Sequence, residues 1–153
     1  MTVIESLWKG TLAGQPKVGD EAKRSRTTTM RDVEMFTAMT GDQNPVHSDV
    51  ELAERSGFGG LIVQGGVTTG LLNAVVAEDI PGPGTVFLET SWRFVKAVRV
   101  GETITASVKV VHVRDDKPIC KLETTVHNAA GEPCVLGTAT TYTMPLRAPP
   151  RGS

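Results

Sequence analysis

Polar and apolar residues alternate with a period of two along the second half of the chain. The alternating segments are residues 86–94, 104–110, 120–126 and 134–143. They are rich in β-branched and aromatic side chains, and turn-forming residues separate the last three. This pattern is typical of antiparallel strands that bury one face. It therefore predicts a meander whose inner face includes Trp92 and Phe94.

A helical pattern precedes these strands. Residues 67–80 are apolar almost all round and end at Pro81, which predicts a helix buried on most of its sides. The glycine-rich segment 59–66 leads into this helix. A nearly all-apolar helix followed by a meander is accommodated when the sheet wraps the helix. The fold class predicted from the pattern is therefore α+β.

Shorter elements are expected before the glycine-rich segment. Residues 21–28 form a possible strand, and residues 30–39 a helix capped by Thr29. The predicted buried stripe of that helix is Val33, Phe36 and Met39. A second, short helix is expected from Ser48, because Ser48 and Glu51 match the capping-box spacing.

Length and charge limit the possible classes of protein. The chain has 153 residues and a formal net charge of −1. We expect a single domain over 19–144, an N-terminal arm over 1–18 and a flexible tail over 145–153. The chain has neither a block of basic residues nor an apolar run near the length that spans a bilayer, so no nucleic-acid or membrane partner is predicted.

The cysteines and the N-terminal residues bear on the compartment. Cys120 and Cys134 fit no metal spacing, and no metal site is expected. We interpret both as small core residues of a protein in a reducing compartment. The first residues also lack the apolar core of a secretory signal. The expected location is the cytoplasm.

Two titratable residues in a short segment are the candidate chemistry. Asp42 and His47 are five residues apart, and Asn44-Pro45 between them makes a stiff, non-helical link. Such a link suits an acid/base pair whose side chains must converge on one atom. The same residue types are also good turn formers. The residues alone therefore leave both interpretations open.

Segment 42–47 (DQNPVH) resembles the hydratase signature of the MaoC-like dehydratases, which include the (R)-specific enoyl-CoA hydratases. Segments 61–65, 81–84 and 94–102 resemble further parts of that family, and the likeness covers about residues 18–144. The resemblance implies a hot-dog fold, in which a curved antiparallel β-sheet wraps a long central helix. It also implies a homodimer or higher homo-oligomer.

The resemblance further implies the chemistry of the site. The expected activity is that of an (R)-specific enoyl-CoA hydratase or 3-hydroxyacyl thioester dehydratase, with no cofactor apart from the coenzyme A of its acyl-CoA substrate. Asp42 is expected to take a proton from water that His47 orients. Gly65 is expected to offer its N–H to the thioester oxygen, and Asn44 to help bind substrate. The residues alone are equally consistent with glycines that only allow close helix packing.

One departure from the family pattern and two alternative functions stay open. The family often has Ser where this chain has Gly70, which leaves the shape of the acyl pocket in doubt. A hot-dog thioesterase would act on similar substrates, but it needs a carboxylate on the central helix, where the first are Glu78 and Asp79 at the far end. A non-catalytic acyl-CoA binder would not need both Asp42 and His47.

Overall fold

In the part of the chain that the structure describes, five antiparallel strands form one sheet in the order β1-β3-β4-β5-β2. The computed structural model describes residues 2–147. The helices are α1 (Val3–Leu7), α2 (Met30–Thr40), α3 (Val50–Arg55) and α4 (Gly65–Glu78). The strands are β1 (Glu21–Thr27), β2 (Thr85–Phe94), β3 (Thr103–Val113), β4 (Ile119–Asn128) and β5 (Pro133–Thr143). Helix α4 packs against β1, β2, β3 and β4, which confirms the predicted hot-dog arrangement.

The alternation predicts the inner face of the central strands correctly. The buried side chains of β3 are Ile104, Ala106, Val108 and Val110, and those of β4 include Cys120, Leu122, Thr124 and Val126. Burial raises the pKa of the Cys120 thiol to about 12, because the thiolate would lose its hydration. Cys120 and Cys134 are both buried and free, as expected for core residues.

The predicted inner face of β2 is correct at Trp92 and out of register before the bulge. A bulge between Phe87 and Glu89 inserts Leu88 as an extra residue, so the alternation shifts by one position. Phe87 and Trp92 pack against the core, whereas Leu88 and Phe94 are exposed. Since β2 is also an edge strand, its outer side has no neighbouring strand among residues 2–147.

Helix α4 is fully buried on one face and half-buried beside it. Thr68, Leu72, Val75 and Val76 lie inside, while Gly70 and Asn73 are exposed. The expected burial on most sides is therefore only partly correct, because the other residues of the helix are buried or half-buried but one stripe is exposed. Among the described residues, no helix combines the length and apolar character needed to cross a membrane.

Helix α2 begins at the predicted cap. The Thr29 hydroxyl accepts from the Asp32 N–H, and the Asp32 carboxylate accepts from the Thr29 N–H, so the two residues form a reciprocal capping box. The predicted stripe is only partly correct, since Val33 is buried but Met39 is 75% exposed.

Helix α3 begins one residue later than predicted. Asp49 caps it through the Leu52 N–H, while Ser48 ends the preceding turn by donating its N–H to the Pro45 carbonyl. The expected Ser48–Glu51 capping box is therefore wrong.

The N-terminal segment that is expected to form an arm packs on the domain. The predicted arm contains α1, and Trp8 directly after it is buried in the hydrophobic core. Residues before 19 therefore contribute to the domain. Of the predicted tail, residues 148–153 lie outside the described part of the chain.

Candidate active site

The Asp42 carboxylate is held by its own loop. Gly41 ends α2 in the left-handed conformation (φ 82°), which directs the chain away from the helix axis. The Asp42 N–H donates to Thr40 Oγ1 at 3.1 Å, and Asp42 Oδ1 accepts from the Asn44 N–H at 3.0 Å. This Asx turn occupies one carboxylate oxygen and leaves Oδ2 available.

His47 is presented by a 3₁₀ turn over Pro45–His47. Asn44 caps this turn, since its Oδ1 accepts from the Val46 N–H at 3.3 Å. Pro45 supplies the fixed φ that suits the first position of such a turn. The turn places His47 inside the protein, with 8% of the residue exposed.

The His47 ring is oriented by a backbone group. Its Nδ1 lies 2.7 Å from the Ile62 carbonyl oxygen. Because a carbonyl can only accept, Nδ1 must carry a hydrogen, and in the neutral ring Nε2 is then an acceptor. Nε2 lies 3.9 Å from Asp42 Oδ2, so the two free acceptors face each other.

This separation suits one water molecule between the two side chains. A distance of 3.9 Å is too long for a direct hydrogen bond. Two hydrogen bonds of about 2.8 Å from one water would span it. Such a water would donate one hydrogen to Asp42 and the other to His47, and would keep its lone pairs for an electrophile. The Asp42 side chain is 37% exposed, so this position is accessible.

The start of α4 lies in the same cleft as His47. Gln64 is the N-cap residue but makes no side-chain bond to the first N–H groups of the helix. Gly65 is the first helical residue, where backbone N–H groups lack an acceptor within the helix and the helix dipole is positive. The Gly65 N–H is therefore suited to bind a developing negative charge.

The cleft has a volume of about 350 Å³. His47, Gly65 and Thr68 line it together with the apolar side chains Phe58, Ile62, Val63, Phe94, Ala97, Val98 and Val135, and with Lys96. Thr68 Oγ1 donates to the Gly65 carbonyl at 2.6 Å. Among the described lining residues none is a carboxylate, so Asp42 lies beside His47 and not in the cleft wall.

The structure thus brings three of the four predicted site residues together. Asp42 faces His47, and His47 shares a cleft with Gly65. Asn44 does not line this cleft, and its side chain is occupied in capping the turn before His47. Its contact with substrate stays a prediction.

Sequence reasoning missed other residues at the site. Phe94, predicted as core, is 60% exposed and lines the cleft. The Ile62 carbonyl that orients His47 has no sequence signal, because every residue offers the same group. Gln64 could have been identified from the sequence, since it is a polar residue within the apolar run 61–67.

Gln64 is buried and only half satisfied. The residue is 2% exposed, and its Nε2 donates to the Val33 carbonyl at 3.2 Å and to Thr37 Oγ1 at 3.1 Å. Its Oε1 has no partner within the described part of the chain. A buried acceptor left in this way costs about 1–3 kcal/mol.

Comparisons with a family model, with known sequences and with solved structures agree with one another. A family model described as a MaoC like domain matches residues 13–131. The chain is 34% identical over 123 residues to an (R)-specific enoyl-CoA hydratase from Aeromonas caviae, covering 80% of this chain and 92% of that protein. It is 32% identical over 126 residues to a mitochondrial 3-hydroxyacyl-acyl-carrier-protein dehydratase from Solanum lycopersicum, covering 81% and 75% of the two chains. The solved structure of an (R)-hydratase from A. caviae has a TM-score of 0.81 at 32% identity, covering 84% of this chain and 98% of that one.

The fold and the names of these relatives define an enzyme of the hydro-lyase class, a hydratase or dehydratase. The chain belongs to the MaoC-like family, as the extent of the family match and the identity to the A. caviae protein establish.

Proposed function

We propose that the protein catalyses reversible addition of water to a trans-2-enoyl thioester of coenzyme A, giving the (R)-3-hydroxyacyl thioester. The observation that carries this proposal is the separation of 3.9 Å between Asp42 Oδ2 and His47 Nε2, next to the cleft that Gly65 lines. The reaction needs an activated water and a stabilised thioester oxygen. These are the two functions that the site supplies.

The Asp42–His47 pair acts on the water. The water donates one hydrogen to each side chain, and its lone pair attacks Cβ of the enoyl group. Asp42 takes the proton as the C–O bond forms, and the pair returns a proton to Cα, so that one water is added in total. The reverse sequence removes water from the 3-hydroxyacyl thioester. General acid–base groups of this kind typically contribute about 10²–10⁴ in rate.

The Gly65 N–H acts on the thioester. Attack at Cβ moves negative charge onto the thioester oxygen. A hydrogen-bond donor fixed at a helix start, in a mostly apolar cleft, stabilises this enolate-like charge without having to reorganise. The apolar walls of the cleft suit an acyl or pantetheine chain better than a polar substrate.

The proposed carrier is coenzyme A, and this is supported by the A. caviae relative. The Solanum relative is named for an acyl carrier protein, so the same chemistry occurs in the family with both carriers. The two carriers share the pantetheine thioester. Measuring kcat/KM with the same enoyl chain on each carrier distinguishes them, and we expect the coenzyme A thioester to be preferred.

The proposed assembly is a homodimer in which β2 of one chain pairs with β2 of a second. Strand β2 is an edge strand whose exposed apolar side chains include Val86 and Leu88. An exposed edge with apolar side chains favours pairing with another strand. Sedimentation at micromolar concentration should give a dimer, and a monomer alone would contradict this assembly.

The proposed activity is tested with crotonyl-CoA. The enoyl absorbance should fall without release of free thiol, and a dehydrogenase specific for (R)-3-hydroxyacyl-CoA should oxidise the product. Thiol release would instead indicate hydrolysis. If the enoyl absorbance did not fall and no thiol were released, the proposal would be contradicted. A product accepted only by an (S)-specific dehydrogenase would also contradict it. Asp42→Asn is the control for background hydration.

A further inference from the structure

Gln64 connects two parts of the site that are distant in sequence. Its backbone begins α4, directly before Gly65, and its side chain crosses to α2. The hydrogen bonds of Nε2 reach Val33 and Thr37, which are 31 and 27 residues away. The amide therefore ties the start of α4 to the middle of α2.

Thr37, one of the two residues that Gln64 holds, is bonded to the end of α2 that leads to Asp42. Thr37 accepts the Gly41 N–H through its carbonyl at 2.8 Å, and Gly41 ends α2. One residue before Gly41, the Thr40 hydroxyl donates to the Phe36 carbonyl at 2.8 Å and accepts from the Asp42 N–H. The position of the Asp42 backbone therefore follows the position of this end of α2.

The positions of the His47 ring and the Gly65 N–H do not follow the end of α2. His47 is oriented by the Ile62 carbonyl, and Ile62 is two residues before Gln64. The Gly65 N–H belongs to α4 itself. The contact between α2 and α4, together with the stiff link from Asp42 to His47, thus sets the distance from the Asp42 carboxylate to both groups.

Phe36 and Gln64 both join these helices near the site. The Phe36 ring lies directly against Gly66, but an aromatic contact of this kind tolerates sliding. The Gln64 hydrogen bonds are directional and therefore define one position. An apolar residue of similar length would fill the same space and would not leave a buried oxygen without a partner. Stability alone thus does not account for an amide here.

We propose that Gln64 is a positioning residue, which holds α2 so that Asp42 Oδ2 stays at the separation from His47 Nε2 that one water can bridge. This proposal rests on the proposed hydration of a thioester. Gln64 does not line the cleft, so it acts through Asp42 and not on the substrate. It is expected to influence turnover more than substrate binding.

The first variant is Gln64→Met, which keeps the length of the side chain and removes both hydrogen bonds. The Thr37 hydroxyl can then turn to donate to the Val33 carbonyl one turn earlier, so no new polar group is left unsatisfied. With crotonyl-CoA we expect kcat to fall by about tenfold to 100-fold, as a misplaced catalytic group typically causes, while KM stays unchanged. The melting temperature should stay the same or rise.

Thr37 provides matched controls. Thr37→Val removes one acceptor of the Gln64 amide and should lower kcat less than Gln64→Met does. Thr37→Ser retains the hydroxyl and should behave as the wild type. The double variant Gln64→Met/Thr37→Val should match Gln64→Met alone, because both changes act through one interaction.

Crystal structures make the test independent of activity. In Gln64→Met the distance from Asp42 Oδ2 to His47 Nε2 should exceed that of the wild type, which is 3.9 Å here. An unchanged distance would overturn the proposal. So would an unchanged kcat in Gln64→Met, a loss of kcat that follows a lower melting temperature, or equal losses in Thr37→Ser and Thr37→Val. Failure of the wild type to hydrate crotonyl-CoA would reject the proposed function, and the two crystal structures would still decide the positioning role.

Discussion

His47 Nδ1 lies 2.7 Å from the Ile62 carbonyl oxygen, and this contact fixes which ring nitrogen carries the hydrogen. We predict that neutral His47 is the Nδ1–H tautomer, with Nε2 as the acceptor toward the water. Long-range ¹H–¹⁵N correlation spectra, recorded at a pH where the His47 ring is neutral, measure this directly. The pyrrole-type nitrogen should be Nδ1.

Asp42→Asn provides the control for the tautomer. It changes the group near Nε2 but leaves the Ile62 carbonyl in place, so the Nδ1–H tautomer should persist. An Nε2–H tautomer in the wild type would mean that His47 cannot accept a hydrogen from the water, and the proposed division of roles would fail.

Gly65 leaves room for the Phe94 ring. A Cβ added at Gly65 would lie 2.8 Å from Phe94 Cε1, so Gly65→Ala forces the ring to move within the cleft. We expect kcat/KM for crotonyl-CoA to fall by about tenfold or more. In a Phe94→Ala background the added methyl group has space, so Gly65→Ala should lower kcat/KM less than it does in the wild type. Equal losses in both backgrounds would contradict this coupling.

Asp32 stabilises the start of α2. Hydrogen bonding to Arg26 lowers the pKa of the Asp32 carboxyl, bonds from Thr29 add to this effect, and burial opposes it. Asp32→Asn should lose about 1 kcal/mol of unfolding free energy at pH 7, which is typical of a lost cap. Denaturant unfolding over a range of pH measures this loss.

The difference in unfolding free energy between the wild type and Asp32→Asn depends on pH, because folding lowers the pKa of the Asp32 carboxyl. A carboxyl whose pKa is lower in the folded state stabilises the protein fully above its unfolded pKa, about 3.9, and loses this contribution as the pH falls through the lower folded pKa. The wild type and Asp32→Asn should therefore converge below about pH 4. Glu34→Gln, an exposed change on the same helix, is the control. A constant difference down to low pH would contradict the account.

The sequence predicts those parts of the fold that depend on local patterns. The alternation identifies the inner faces of β3 and β4, and Thr29 with Gly41 marks the ends of α2. The bulge at Leu88 in β2 could not be predicted, since an inserted residue changes the register without a composition signal. The open face of α4 was also missed, because an apolar pattern does not show how much of the helix one sheet can cover.

The candidate site was predictable where its residues are close in sequence. Asp42 and His47 are five residues apart, and a stiff link brings them together. The groups that orient them come from farther along the chain. The Ile62 carbonyl reaches His47 across 15 residues, and Gln64 reaches α2 across about 30. Such contacts depend on packing between elements, which a single sequence does not reveal.

The central claim is that Asp42 and His47 act together on one water, and a double-mutant cycle tests it most directly. Hydration of crotonyl-CoA is measured for Asp42→Asn, His47→Gln and the double variant, each checked for folding by circular dichroism. Each single change should lower kcat by about 10²–10⁴, and the double variant should be no slower than the more severe single one. Losses that multiply, or a near-normal kcat in either single variant, would contradict the claim.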